Sequence, residues 1–148
     1  MSDNRREFLA AAAAFVAASV GSRLEAHDDA QAPAQAPASR AVATKDAPAV
    51  NLDGWQMTAT EITIPPGAPP GRKHRHPGFV IGYVLQGKYN FAVNDQPLKV
   101  ISAGEMFFES FDAPGEIHSG SANASATEPV KFLAIVFTKK GDPVTIPG

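Results

Sequence analysis

Three of the chain's four histidines, His74, His76 and His118, lie in two clusters. His74 and His76 stand at i and i+2, a spacing that puts both imidazoles on one face of a strand. Two imidazoles on one face can converge on one ion. His118 follows Pro114-Gly115, a turn signal, at the start of another short strand. A third imidazole from a neighbouring strand would complete a facial set of nitrogen ligands, with positions open for water or substrate. From the histidines alone two readings stand: a metal centre, or solvated loop histidines, where such pairs are common. Each imidazole must be neutral to bind, so affinity is expected to fall as pH drops below about 6.5. His27 has no partner near it and is assigned nothing.

Composition narrows the chemistry around these residues. The chain has no cysteine, which excludes disulfides, thiol nucleophiles and thiolate ligands. Its net charge of -2 gives no support for a nucleic-acid partner. Arg72, Lys73 and Arg75 surround the first histidine pair. They read either as an attractor for an acidic substrate or as a solvated loop cluster, with Arg75 alternating away from the ligand face.

The elements that must position the histidines are strands. Trp55 to Ile64 alternates apolar and polar residues and ends at Pro65-Pro66-Gly67. Phe79 to Leu85 ends at Gln86-Gly87, and Lys88 to Val93 ends at Asn94-Asp95. Leu98 to Ile101, Met106 to Phe111, Ile117 to Ser121 and Lys131 to Thr138 follow. Short strands at this spacing, with 13 prolines and 12 glycines and no helical pattern between them, predict an all-β barrel or sandwich. Phe79, Tyr83, Phe91, Phe107, Phe108, Phe132 and Phe137 are expected mostly in its core. Trp55 is expected at an edge or a contact between copies.

Two runs carry a resemblance to a known family. Gly71-Arg72-Lys73-His74-Arg75-His76-Pro77-Gly78, continued by Gly82-Tyr83-Val84-Leu85-Gln86-Gly87, resembles the first motif of the cupin superfamily. Gly104-Glu105-Met106-Phe107-Phe108, with Pro114-Gly115-Glu116-Ile117-His118 and Asn123, resembles the second. The resemblance implies a double-stranded β-helix, a jelly-roll barrel, with His74, His76 and His118 as metal ligands. It also implies a homodimer. Iron(II) is the first expectation for the ion, with zinc, manganese, copper and nickel as the other candidates.

The chain departs from the family pattern in one ligand. The glutamate that stands seven residues before the motif glycine falls on Val80, counted back from Gly87. Glu109, Glu105 and Glu116 are the carboxylates available to substitute. Glu109 shares a strand face with Phe107 and Phe111, so if that face points inward it becomes a distant ligand or a general base. The competing reading, a rim or exposed carboxylate, is the one the sequence favours. Glu105 is expected in solvent and Glu116 at the barrel mouth. A second departure lengthens the span from Gly104 to His118, with Ala113 at an expected proline and a bulge expected around Ser110-Phe111-Asp112.

The beginning of the chain reads differently. Arg5-Arg6 precedes Phe8-Leu9 and an Ala-rich apolar run to Val20, which resembles a twin-arginine export signal. The expected organisation is a signal over 1–26, a disordered Ala/Pro-rich linker over 27–49, and one folded domain over 50–148. That places the protein in the periplasm, with no stable membrane insertion after processing. The function expected is a metal-binding envelope protein, a three-histidine oxygenase acting on a small organic substrate. The alternative is a binding or sensing module whose metal is vestigial or structural.

Overall fold

A computed structural model describes residues 39–110 and 115–148. The described residues form nine strands and no helix. They are β1 (Trp55–Ile64), β2 (His74–Arg75), β3 (Gly78–Gln86), β4 (Lys88–Val93), β5 (Lys99–Ser102), β6 (Met106–Glu109), β7 (Ile117–Asn123), β8 (Val130–Lys139) and β9 (Ile146–Pro147). Two antiparallel sheets result, ordered β1-β8-β3-β6 and β5-β4-β7-β2-β9. This is the expected all-β, double-stranded β-helix architecture. The two-residue strands β2 and β9 carry too little pattern to be read from sequence. The expected bulge near Ser110 falls largely outside the described residues, as does the whole of the export signal.

Period-two alternation builds the interior. Val130, Phe132, Val136 and Thr138 of β8 point inward, as do Val80 and Val84 of β3, and all are buried. Tyr89 and Phe91 from β4 and Phe107 from β6 complete one core drawn from both sheets. The same alternation corrects the expectation for the aromatics. Phe91, Phe107 and Phe132 are core, whereas Phe79, Tyr83, Phe108 and Phe137 occupy odd or even positions that turn to the outer face. On that face Phe79 stacks on Phe137 with ring centroids 4.5 Å apart, and Trp55, on the edge strand β1, packs against Phe79.

Two glycines set the spacing near the histidines. Gly82 pairs with Phe107 across β3 and β6, and a Cβ at Gly82 would overlap the Phe107 ring. Only glycine lets that ring fill the interior there. Gly115 adopts φ +98°, and a Cβ there would press on the His76 carbonyl oxygen. The backbone entering β7 therefore runs against the residue that follows β2.

Candidate metal centre

Strand register brings the histidines together. His74 of β2 lies directly opposite His118 of β7. His76 follows just beyond β2, where Pro77 ends the ladder. The three side chains each offer one nitrogen, and these atoms lie within 4.8 Å of one another. Loop-exposed histidines would not do this, so the solvated-loop reading fails.

Backbone carbonyls orient two of the rings. His74 Nδ1 donates to the Arg72 oxygen at 2.8 Å, and His76 Nδ1 donates to the Val144 oxygen at 2.6 Å. A carbonyl can only accept, so both protons sit on Nδ1 and both Nε2 lone pairs are left for an ion. Val144 and β9 thus belong to the centre, with Ile146 and Pro147 paired to Arg75 and His74. Arg75 turns away from the centre, and its guanidinium donates to the Gly115 oxygen at 2.6 Å, tying β2 to the approach to β7.

His118 is held differently. Its Nε2 lies 3.1 Å from the Tyr89 hydroxyl, which also meets Ser121 Oγ at 2.8 Å. Its Nδ1 lies 3.2 Å from Glu109 Oε1. Tyr89 and Ser121 were not singled out in the sequence. The signal was there for Tyr89, which alternates with Phe91 on one face of β4.

Glu109 corrects the favoured expectation of a rim carboxylate. It is 4% exposed and points inward with Phe107, because β6 has the parity that buries both. Its cross-strand partner is Val80. Glu109 Oε2 is 3.9 Å from His76 Nε2 and has no hydrogen-bond partner. Glu105 and Glu116 do not reach the centre. Glu105 is exposed and accepts from the Ser102 N–H at 2.6 Å. Glu116 accepts from the Ser110 N–H at 2.6 Å and from Asn94, stitching the ends of β6 and β4 to the start of β7. Arg72 and Lys73 are exposed.

The electrostatics follow from burial. Desolvation lowers the His118 pKa to about 4, with His74 and His76 adding to the effect. Desolvation also lowers that of His76, opposed by the Val144 carbonyl. It raises Glu109 to about 8, with Glu116 adding repulsion. Burial raises Tyr89 as well. Without an ion, the His118–Glu109 contact is a hydrogen bond between neutral groups rather than an ion pair. The expected onset of proton competition near 6.5 moves down for His76 and His118.

The donor set fits a divalent ion. It holds neutral imidazoles with fixed lone pairs and a buried carboxylate oxygen lacking any partner, which a cation would satisfy. A bound ion would supply Lewis acidity and a place for oxygen or a substrate donor atom. A cavity of about 780 Å³ lies against the outer face of the four-stranded sheet, with Val80, Ile81 and Glu109 in its wall, and none of the three histidines lines it. Its other walls include Phe79, Phe108 and the chain segment through Val50 and Leu52. Lys45 of that segment lies 5.8 Å over the Phe108 ring.

Known structures share this fold. The DMSP lyase DddQ of Ruegeria pomeroyi is similar at 20% identity and TM-score 0.50, over 62% of this chain and 42% of that one. A Klebsiella pneumoniae protein with a double-stranded β-helix domain is similar at 20% identity and TM-score 0.49, over 59% of this chain and 70% of that one. The Bacillus subtilis oxalate decarboxylase, which has Mn(II) centres, is similar at 23% identity and TM-score 0.47, over 62% of this chain and 23% of that one. The chain thus spans about two-fifths of the length of the DMSP lyase. No curated protein matches it in sequence. The family model for the cupin domain matches residues 60–136, which include all three histidines and Glu109. With the barrel and its inward-facing histidines in place, the chain belongs to the cupin family.

Proposed function

We propose that this protein is a metal-dependent enzyme, an oxygenase that acts on a small organic substrate at an iron(II) ion held by His74, His76 and His118. The observation that carries this reading is the convergence of three imidazoles whose free nitrogens lie within 4.8 Å of one another. The adjoining buried titratable groups, Glu109 and Tyr89, support an enzyme over a passive binder. Barrel packing has no need of a carboxylate in the core, and perturbed groups of this kind gather at reacting sites.

The test is oxygen consumption by iron-loaded protein across a panel of diketones, phenols and thiols, beside His76→Ala and His118→Ala. Substrate-dependent uptake that both variants lose supports the oxygenase. Metal retained at one ion per chain with no uptake on any class supports the binding module. Metal content in wild type no greater than in the variants refutes the centre itself.

We place this activity in the periplasm, after export by the twin-arginine route, on the strength of Arg5-Arg6 and the apolar run that follows. That route carries folded proteins, which would allow metal loading before export. We also propose a homodimer. The outer face of the four-stranded sheet carries Met57, 60% exposed and paired with Phe137, with Ile135 and Tyr83 further along the same face, and β1 is an edge strand. Pairing of copies would cover both. A monomer by light scattering would refute it.

A further inference from the structure

Glu109 is the feature of the centre that three histidines leave unexplained. A carboxylate 4% exposed needs partners for both oxygens. Among the described residues, no lysine or arginine lies within ion-pair distance of it. Oε2 has no hydrogen-bond partner at all. The nearest charged or chargeable neighbours are nitrogens of two of the converging histidines, at 3.2 and 3.9 Å. Ligand atoms at about 2.0–2.2 Å from one ion stand roughly 3–3.6 Å apart. The carboxylate therefore sits near the separation expected of ligands that share an ion.

The register explains how it comes to be there. Val80 and Glu109 are Cα partners across β3 and β6. Directly opposed residues on one sheet face have Cβ atoms about 4.5–5.5 Å apart, well within the reach of a glutamate side chain. Val80, 2% exposed, and Glu109 present their side chains to the same interior. A carboxylate on either strand can address the same space.

We propose that Glu109 is a direct fourth ligand of the metal, a carboxylate supplied by β6 across the sheet from the apolar Val80 of β3. His118 then completes the set through Nδ1. Its Nε2–H donates to the Tyr89 oxygen, and the Tyr89 hydroxyl donates to Ser121 Oγ, an arrangement the 3.1 and 2.8 Å distances permit. Each of the three imidazoles thereby has its second nitrogen occupied by a protein oxygen and its free lone pair turned to the ion. The ion so held carries a smaller net charge than one held by neutral imidazoles alone. The inference rests on the metal centre but not on the oxygenase reading.

The test uses full-length protein with Co(II) as the probe and requires no turnover. Affinity is measured by chelator competition and coordination by the visible spectrum of the bound Co(II). Glu109→Gln keeps the shape and removes the charge. It should bind Co(II) at least tenfold to a hundredfold more weakly, with an altered visible spectrum. The double variant Val80→Glu/Glu109→Val moves the carboxylate back across the strand pair and should recover most of the affinity. Unchanged affinity in Glu109→Gln overturns the assignment. Weaker binding with an unchanged spectrum also overturns it, since Glu109 would then only position a ligand. A double variant as weak as Glu109→Gln overturns the equivalence of the two positions. Thermal unfolding of the metal-free variants, expected at or above wild type, separates these outcomes from a failure to fold. Loss of Co(II) binding in wild type itself would mean that the three-histidine centre, not the Glu109 assignment, is wrong.

Discussion

The Tyr89 hydroxyl and His118 Nε2 stand 3.1 Å apart in the barrel interior, so a core aromatic and a metal-ligand candidate share a polar contact. Tyr89 is fully buried and its ring packs 4.4 Å from Phe132 and 5.2 Å from Phe107. It belongs to the core by its ring and to the centre by its hydroxyl. Tyr89→Phe should keep the packing while leaving Ser121 and His118 without their shared partner. Stability should fall by about 1–3 kcal/mol. Metal affinity should drop about tenfold to a hundredfold, as for lost partners of ligating histidines. Melting curves and chelator competition check both; unchanged metal affinity would mean Tyr89 does not orient His118.

Stability of the metal-free protein should fall as pH rises from 6.5 to 8.5. Glu109, about 8 in the fold against 4.5 when free, contributes stability that is complete below 4.5 and lost as pH rises through 8. His118, about 4 against 6.5, contributes stability that is complete above 6.5 and lost as pH falls towards 4. Between 6.5 and 8.5 the Glu109 effect acts alone, with a size of about 1–2 kcal/mol. A bound divalent ion favours the ionised carboxylate, so the slope should flatten or reverse in Co(II)-loaded protein. Melting temperatures at both pH values, with chelator and with Co(II), measure this. A metal-free protein equally stable at both ends would show that Glu109 is ionised throughout.

Gly82→Ala should destabilise the barrel and disturb the centre together. A Cβ at Gly82 overlaps the Phe107 ring, and β6 carries Phe107 and Glu109 two residues apart. Overpacking at such a site costs about 1–3 kcal/mol. Moving Phe107 also moves the strand that presents Glu109, so Co(II) affinity should weaken with it. Phe107→Leu in the same background should restore part of the stability by freeing ring volume. A Gly82→Ala protein with wild-type melting would show that the interior has room the packing denies.

Replacing Arg5 and Arg6 by lysine should leave the precursor in the cytoplasm. Cell fractionation with an antibody to the folded domain reads the result. Unchanged periplasmic delivery would point to the general secretory route, and absence of wild-type protein from the periplasm would remove the export proposal.

Much of the barrel was legible in the sequence because strand parity is local. Trp55–Ile64 and Lys88–Val93 emerge with the bounds read from alternation and turn residues. The histidine ligands were legible because i and i+2 spacing encodes a shared strand face, and the family motifs place His118 with them. Parity also held the answer for Tyr89 and for the four outer-face aromatics, whose positions relative to buried neighbours decide which way they point. Local sequence could not reveal β9 or the Val144 carbonyl, because a two-residue strand has no period and gains its place only from β2. Nor could it tell a rim carboxylate from a buried one at Glu109. That depends on pairing: only the register of β6 on β3 sets Glu109 opposite Val80, and only the closing of β7 against β2 brings two imidazoles within reach of its oxygens. The sequence determined which residue types could bind an ion and which faces they share, because those follow from chain geometry over a few bonds. The tertiary structure decided which carboxylate joins them, because that contact spans separate strands and exists only when the sheets close.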